Sequence, residues 1–204
     1  MRWWVLVALA GCGRGPWFIA EEEPRACGSA EIFASEVLSY EPGYAGAPPV
    51  HPDVLDPQSA IGAPDWNADR GFPGVGAVSL GRGGRLELGF SRCKLGHDGT
   101  RDADIRIYEV GPAVERVFVF VRASPGSMGA LDSSRQVAPT SPYFEVGELL
   151  GGVTDVDLDG LVLDGGTASF DAILFEDGLQ GAGSDAAWGA DIDAVELLSV
   201  AGLD

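Results

Sequence analysis

The sequence contains few of the residues that most often perform catalysis. There are two histidines and three cysteines in 204 residues, no serine lies in a G-x-S-x-G context, and no two cysteines form a C-x-x-C pair. His51 lies in a proline-rich segment, and His97 directly precedes Asp98. Since a serine hydrolase needs a nucleophile beside a base, and zinc or thiol-exchange sites typically use paired cysteines, these absences predict that the protein is not an enzyme.

Positive charge is also scarce. Lys and Arg number 13 against 31 Asp and Glu, so the formal net charge is −18. A field of this sign repels phosphate backbones and anionic headgroups, which argues against nucleic acid as a partner and leaves divalent cations and cationic or neutral ligands. The chain has instead 30 glycines, 13 prolines and 46% hydrophobic residues, a composition that favours short strands joined by tight turns.

The first residues have the pattern of an export signal rather than of a membrane span. In "MRWWVLVALAGC", Arg2 precedes an apolar segment that is too short to cross a bilayer as a helix. "LAGC" resembles the lipobox of bacterial lipoproteins, in which the peptide is cut before a cysteine that then carries lipid. We therefore expect a signal peptide at residues 1–11, lipidation of Cys12, a tether at residues 12–28, and no contact with the cell-envelope membrane except through the lipid. The alternative is an ordinary secretory signal cut after Ala20, which would give a secreted protein.

The two remaining cysteines predict a disulfide. If Cys12 carries lipid, Cys27 and Cys93 are left as an even pair in an oxidising compartment. A bond between them would tie the N-terminal segment to the folded domain. The alternative is two free thiols.

Hydrophobic alternation with a period of two recurs along the chain and indicates strands. In "RLELGF", Leu86, Leu88 and Phe90 alternate with non-hydrophobic residues. "AVSLG" and "RLELGF" flank a glycine-rich turn and predict a hairpin, and the apolar run "RVFVFVRA" predicts a strand buried on both faces. With no long amphipathic helix in view, we expect an all-β sandwich of about eight antiparallel strands over residues 29–204.

Acidic residues at strand spacing are candidate calcium ligands. Carboxylates crowded at strand ends repel one another, and calcium accepts six to eight oxygens in loose geometry. Residues 155–159 match the opening of an EF-hand loop, but Gly166 stands where the required twelfth-position acid would be. On a straight strand, Asp191 and Asp193 would face away from Glu196, so they could not all reach one ion. The alternative is solvated acids that never meet. The predicted metal ligands are Asp98, Asp104, Glu109, Asp177, Asp191, Asp193 and Glu196.

Aromatic residues in turn-rich segments are candidate ligand contacts. Tyr44, Trp66 and Trp188 lie among glycines, prolines and polar residues, and aromatic faces on loops suit sugar rings or protein partners. The alternative, favoured for Trp66 and Trp188, is that the rings cap the core of the sandwich.

Several segments in order resemble one group of proteins. "ASEVLSYEPG", "AIGAPDW", "VSLGRGGRLELGF", "DADIRIYEVG" and "GADIDAVELL" are similar to segments of bacterial exported cell-surface proteins that carry a discoidin-like (galactose-binding-like) jelly-roll domain. The resemblance covers about residues 30–198. It implies an eight-stranded sandwich and a structural calcium whose ligands come from an early loop and the final strand, which here points to Glu196. Most members have no assigned activity.

Together these features predict a non-catalytic ligand-binding or adhesion module of the cell surface, stabilised by calcium, with carbohydrate or a cell-surface protein as its partner. Two other classes stay open at this point. One is an extracellular hydrolase, and the other is a purely structural lipoprotein of the envelope.

Overall fold

The protein is an all-β sandwich, as the sequence predicts. The computed structural model describes residues 27–28, 32–44, 52–67, 69, 75–91, 93–110, 115–178 and 189–201. Its strands are β1 (Glu36–Glu41), β2 (Gly43–Tyr44), β3 (Val78–Ser79), β4 (Gly81–Arg82), β5 (Arg85–Gly89), β6 (Lys94–Leu95), β7 (Ile105–Val110), β8 (Arg116–Ala123), β9 (Tyr143–Leu150), β10 (Val153–Val156), β11 (Phe170–Asp177), β12 (Asp191–Leu197) and β13 (Val200–Ala201).

The described helices are short 3-10 turns between strands. They span Pro52–Val54, Pro57–Ala60, Met128–Ala130, Ser133–Arg135 and Asp159–Leu161. Within the described ranges, no helix has the length and apolar character needed to cross a membrane.

Two antiparallel sheets form the layers of the sandwich. The larger has seven strands, with β5 between β1 and β11, and β8 between β11 and β9. The smaller has four strands in the order β10-β7-β12-β3, and a parallel pair of β2 with β4 lies apart from both. Eight of the strands contain four or more residues, namely β1, β5 and β7 to β12. This number agrees with the strand count expected from hydrophobic alternation.

The core lies between the inner faces of the two sheets. β8 shows how the alternation works, because Val117, Val119 and Val121 are fully buried while Phe118 and Phe120 on the other face are only half-buried. The prediction that this strand is buried on both faces was therefore wrong. Its outer face is covered only in part, although the residues there are large and apolar.

The predicted hairpin around the glycine-rich turn was also wrong. β3 pairs with β12 in the smaller sheet, whereas β5 pairs with β1 and β11 in the larger one. The turn at residues 81–84 thus carries the chain from one layer to the other. Gly83 has a φ of 73°, and a side chain at Gly84 would collide with the carbonyl oxygen of Leu80. Glycines therefore mark a crossover between sheets here, which alternation alone does not distinguish from a hairpin.

The predicted pair of cysteines is joined in the structure. Cys27 and Cys93 form a disulfide with their Cα atoms 6.1 Å apart. Cys93 is fully buried, so the bond fixes the N-terminal segment against the core. The signal peptide expected at residues 1–11, Cys12, and the tether up to residue 26 lie outside the described residues.

Candidate functional site

The predicted metal ligands fall into four separate places. Glu109, Asp177 and Asp191 come together with Glu115 at one end of the sandwich, and we call these four residues the acid cluster. The other predicted ligands lie elsewhere: Asp98 and Asp104 in the loop before β7, Asp193 behind the loop at residues 65–67, and Glu196 beside Tyr108.

A bulge in β12 explains how its acids are distributed. The pairing of β12 with β7 shifts register between Ile192 and Ala194. Three residues of β12 belong to the core, namely Ile192, Val195 and Leu197. Since positions 192 and 195 are three apart, the alternation of inward and outward side chains changes phase between them. Glu196 does not share a face with Ile192, contrary to the expectation for a straight strand. Its carboxylate instead accepts a hydrogen bond of 2.8 Å from the Tyr108 hydroxyl.

The acid cluster is assembled from four chain segments that meet at strand ends. Glu109 lies near the end of β7, and Asp191 opens the adjacent strand β12. Asp177 closes β11, and Glu115 immediately precedes β8, its neighbour in the larger sheet. All four residues are at least nine-tenths buried. The end of the sandwich between the two sheets is thus lined with carboxylates rather than with apolar side chains.

Backbone amides satisfy part of the cluster. Gly152 donates to Glu109 at 2.6 Å, and Gly189 donates to Glu115 at 3.2 Å. Asp177 accepts from Gly83 at 2.9 Å and from Ala190 at 3.3 Å. Two oxygens remain without a hydrogen-bond partner among the described residues, Oε1 of Glu109 and Oδ1 of Asp191, and both are inaccessible to solvent. Such atoms are rare because a buried, unpaired acceptor costs free energy.

Burial dominates the electrostatics of the cluster. It raises the pKa of Glu109 to about 7, that of Glu115 to about 8 and that of Asp191 to about 7. Repulsion from Asp191 raises the pKa of Glu115 further, as do Glu109 and Asp177. Without a compensating cation, several of these carboxyl groups therefore hold a proton near neutral pH.

A second group of acids lies at the loop before β7. Oxygens of Asp104, Asp157 and Asp159 lie within 4.8 Å of one another. Asp104 is fully buried, but it accepts hydrogen bonds from the backbone of Asp98 at 3.1 Å and of Leu158 at 2.8 Å. Both of its oxygens are thus engaged in fixing two loops.

His97 belongs to the same loop network and is not placed as a free base. Its Nδ1 lies 2.7 Å from Asp159 Oδ1, and its Nε2 accepts a hydrogen bond of 3.4 Å from the Ala168 amide. The neutral ring protonated at Nδ1 satisfies both contacts. Asp98 is exposed and accepts from the backbone and hydroxyl of Thr100, a local turn that lowers its pKa.

A polar groove of about 350 Å³ lies on the long loop before β3. Among the described residues its lining consists of Gln58, Ser59, Ile61, Asp65, Asn67, Val75 and Gly76. The backbone of Asn67 donates to the Val75 carbonyl at 2.9 Å, which joins the two sides of the loop. The lining combines side-chain amides, a hydroxyl and a carboxylate with two aliphatic side chains.

Asp193, on the last long strand β12, holds this groove in place. Asp193 is 3% exposed, and its carboxylate accepts a hydrogen bond of 3.1 Å from the Asp65 amide. Burial raises its pKa, while the amides of Asp65 and Trp66 oppose the shift. The two aspartates of "GADIDAVELL" therefore serve different places: Asp191 lies in the acid cluster, and Asp193 anchors the groove loop.

The predicted aromatic contacts are only partly described. Trp66 is half-buried, between two residues that line the groove. Tyr44 lies on β2, but its side chain is outside the described part of the structure, as is the whole of Trp188.

Sequence reasoning did not find Glu115 or the groove residues Gln58 and Ser59. Glu115 stands alone before an apolar strand, without the paired spacing that marked the other acids. Gln58 and Ser59 carry no signal beyond their position in a long, punctuated loop. Comparison with known proteins finds no matching family model, curated protein or solved structure.

Proposed function

We propose that the protein is a non-catalytic binding module of the bacterial cell surface that holds a neutral carbohydrate in the polar groove and is stabilised by calcium. The observation that carries the proposal is the groove itself, a concave polar site built by an early loop and tied to the last long strand. Such a site needs no nucleophile or base. The export signal read from "LAGC" and the disulfide support an extracellular setting.

The chemistry of the lining favours a neutral polyol. The amides of Gln58 and Asn67 and the Ser59 hydroxyl can each donate and accept hydrogen bonds, and Asp65 accepts them. Each sugar hydroxyl does both, so it is complementary to these groups. No described lining residue is cationic, and the net charge is −18. An anionic ligand would therefore be repelled.

The construction of the groove supports selective binding. Gly76 has a φ of 95°, and a Cβ there would lie 2.4 Å from Asp65 Oδ1 and 2.9 Å from the Trp66 Cα. The two walls are thus in direct contact at this point. With Asp193 behind the same loop, the polar groups are held before a ligand arrives, which lowers the entropy lost on binding.

A glycan array with the purified chain tests the proposal. We expect binding to a restricted set of neutral glycans, weakened at least tenfold by Asp65→Asn or Gln58→Ala. Glu145→Gln is the matched control, because Glu145 is an exposed acid on β9 outside the groove lining. Absence of binding across the array would overturn the carbohydrate assignment, and hydrolysis of any bound glycan would overturn the non-catalytic one.

A further inference from the structure

We propose that the acid cluster is a calcium site, with Glu109, Glu115, Asp177 and Asp191 as its protein ligands. The inference rests on the proposed function, because it locates the calcium of that module. It concerns residues other than those of the groove, so the calcium site and the binding of carbohydrate can fail separately.

The first observation is the imbalance of charge. Four acidic side chains from four chain segments converge in a buried site at one end of the sandwich. Lys, Arg and His form several ion pairs within the described ranges. None of these pairs includes Glu109, Glu115 or Asp191. A bound cation would supply the missing positive charge.

The second observation is independent of charge. Glu109 is 3% exposed and Asp191 is 6% exposed, yet Oε1 of the first and Oδ1 of the second have no partner in the described structure. Glu109 and Glu115 each accept a hydrogen bond from a backbone amide through one oxygen. The unpaired oxygens are thus available as ligands.

The ligand set selects calcium among the common divalent ions. The cluster offers only oxygen, whereas zinc sites typically include histidine or cysteine. No three of the four acids bring ligand atoms within 4.8 Å of one another here, so an ion must draw the side chains inward or keep bridging water. Calcium tolerates that irregularity, with six to eight oxygens at about 2.3–2.6 Å, while magnesium demands near-ideal octahedral geometry.

The other acid group provides an internal comparison. Asp104, Asp157 and Asp159 are closer together than the cluster acids. However, both oxygens of Asp104 already accept backbone amides, and Asp159 accepts from Gly99 at 3.0 Å while also contacting His97. Oδ2 of Asp159 is buried without a partner among the described residues, but both oxygens of Asp104 already hold backbone amides, which makes this group the weaker candidate. Asp157→Asn therefore distinguishes this group from the acid cluster.

Titration calorimetry with calcium chloride at pH 7.5, together with thermal unfolding, tests the site on the full chain. We expect one calcium per chain and a raised Tm in the wild type. Glu115→Gln and Asp191→Asn should weaken binding at least tenfold, and Asp157→Asn should leave it unchanged. Magnesium chloride at the same concentration should shift the Tm less.

Protons compete with calcium for the carboxylates of the acid cluster. The Tm measured without calcium distinguishes a variant that has lost only its calcium site from one that no longer folds properly. Glu115→Gln replaces a buried acid with a neutral amide whose oxygen can still accept the Gly189 hydrogen bond, so its calcium-free Tm should equal or exceed that of the wild type while its calcium response is lost. The site is overturned if millimolar calcium neither binds nor raises the wild-type Tm. It is also overturned if both cluster variants respond like the wild type, or if Asp157→Asn alone loses the response. Glycan binding measured on the same variants reports on the groove separately.

Discussion

The Asp193 carboxylate accepts a hydrogen bond from the Asp65 amide at 3.1 Å, across 128 residues of sequence. This contact connects the final long strand to the loop that lines the groove. It places a buried charge behind the candidate ligand site rather than inside it. The bulge in β12 separates this role from that of Asp191, two residues earlier.

Replacing Asp193 should damage both stability and the groove. Asp193→Ala leaves the Asp65 amide without its acceptor in a partly buried site, so we expect a loss of about 1–3 kcal/mol in the free energy of unfolding. Asp193→Asn retains an acceptor oxygen and should cost less. Urea unfolding measures both variants. Equal stability of Asp193→Ala and the wild type would show that the contact does not hold the loop.

Gly62 and Gly76 have similar backbone conformations but different surroundings. Substitutions at the two positions therefore distinguish the cost of a left-handed φ from the cost of a steric collision. Gly62 has a φ of 91° and no atom within 4 Å of the position that a Cβ would take, whereas a Cβ at Gly76 would meet the Trp66 Cα at 2.9 Å. Gly62→Ala should therefore cost only the backbone term, about 1–2 kcal/mol. Gly76→Ala should cost more and should also weaken glycan binding. Similar effects of the two substitutions on binding would contradict the proposed contact between the groove walls.

The acid cluster predicts an unusual dependence of stability on pH. The folded pKa values of Glu109 and Asp191, about 7, and of Glu115, about 8, lie above the ordinary values of 4.5 for glutamate and 3.8 for aspartate. Between these limits the folded state holds protons that the unfolded chain has lost. Stability in calcium-free buffer should therefore fall as the pH rises from about 5 to about 8.

Chemical unfolding at several pH values, in the presence of a chelator, measures this slope. Glu115→Gln should flatten it, and Glu145→Gln on exposed β9 should not. A stability that rises through the same pH range in the wild type would show that the cluster carboxylates ionise without penalty.

The disulfide should contribute measurably to stability. Cys27 and Cys93 are 66 residues apart in sequence, so the cross-link restricts a large loop of the unfolded chain. We expect reduction to lower the free energy of unfolding by about 2–4 kcal/mol. Thermal unfolding with and without a reductant measures the loss, and Cys27→Ser should unfold identically under both conditions. A reductant-sensitive Tm in Cys27→Ser would assign the effect to another cause.

The sequence predicts a strand well where hydrophobic alternation alone reflects its burial. The segment that forms β7 alternates cleanly between buried and half-buried residues, because one side of the strand meets the core. β9 was missed: its sequence "YFEVGELL" combines Phe144, fully buried, with Gly147 at a register irregularity. Irregularities of pairing depend on the partner strand, so local alternation does not reveal them.

The site was less predictable because it depends on contacts distant in sequence. Acid spacing grouped Glu109, Asp177 and Asp191 with Asp98, Asp104 and Glu196, which lie elsewhere in the structure. Which acids meet is decided by the order of strands in two sheets and by the bulge. Their behaviour as metal ligands stays a prediction, as does the resemblance to discoidin-like cell-surface proteins.

A crystal structure of the full chain, grown with calcium and a glycan identified on the array, tests the account most directly. We predict sugar density against Gln58, Asp65 and Asn67, and one ion within about 2.3–2.6 Å of carboxylate oxygens of the acid cluster. Sugar bound at another surface, or an acid cluster that stays without an ion at millimolar calcium, would contradict the account.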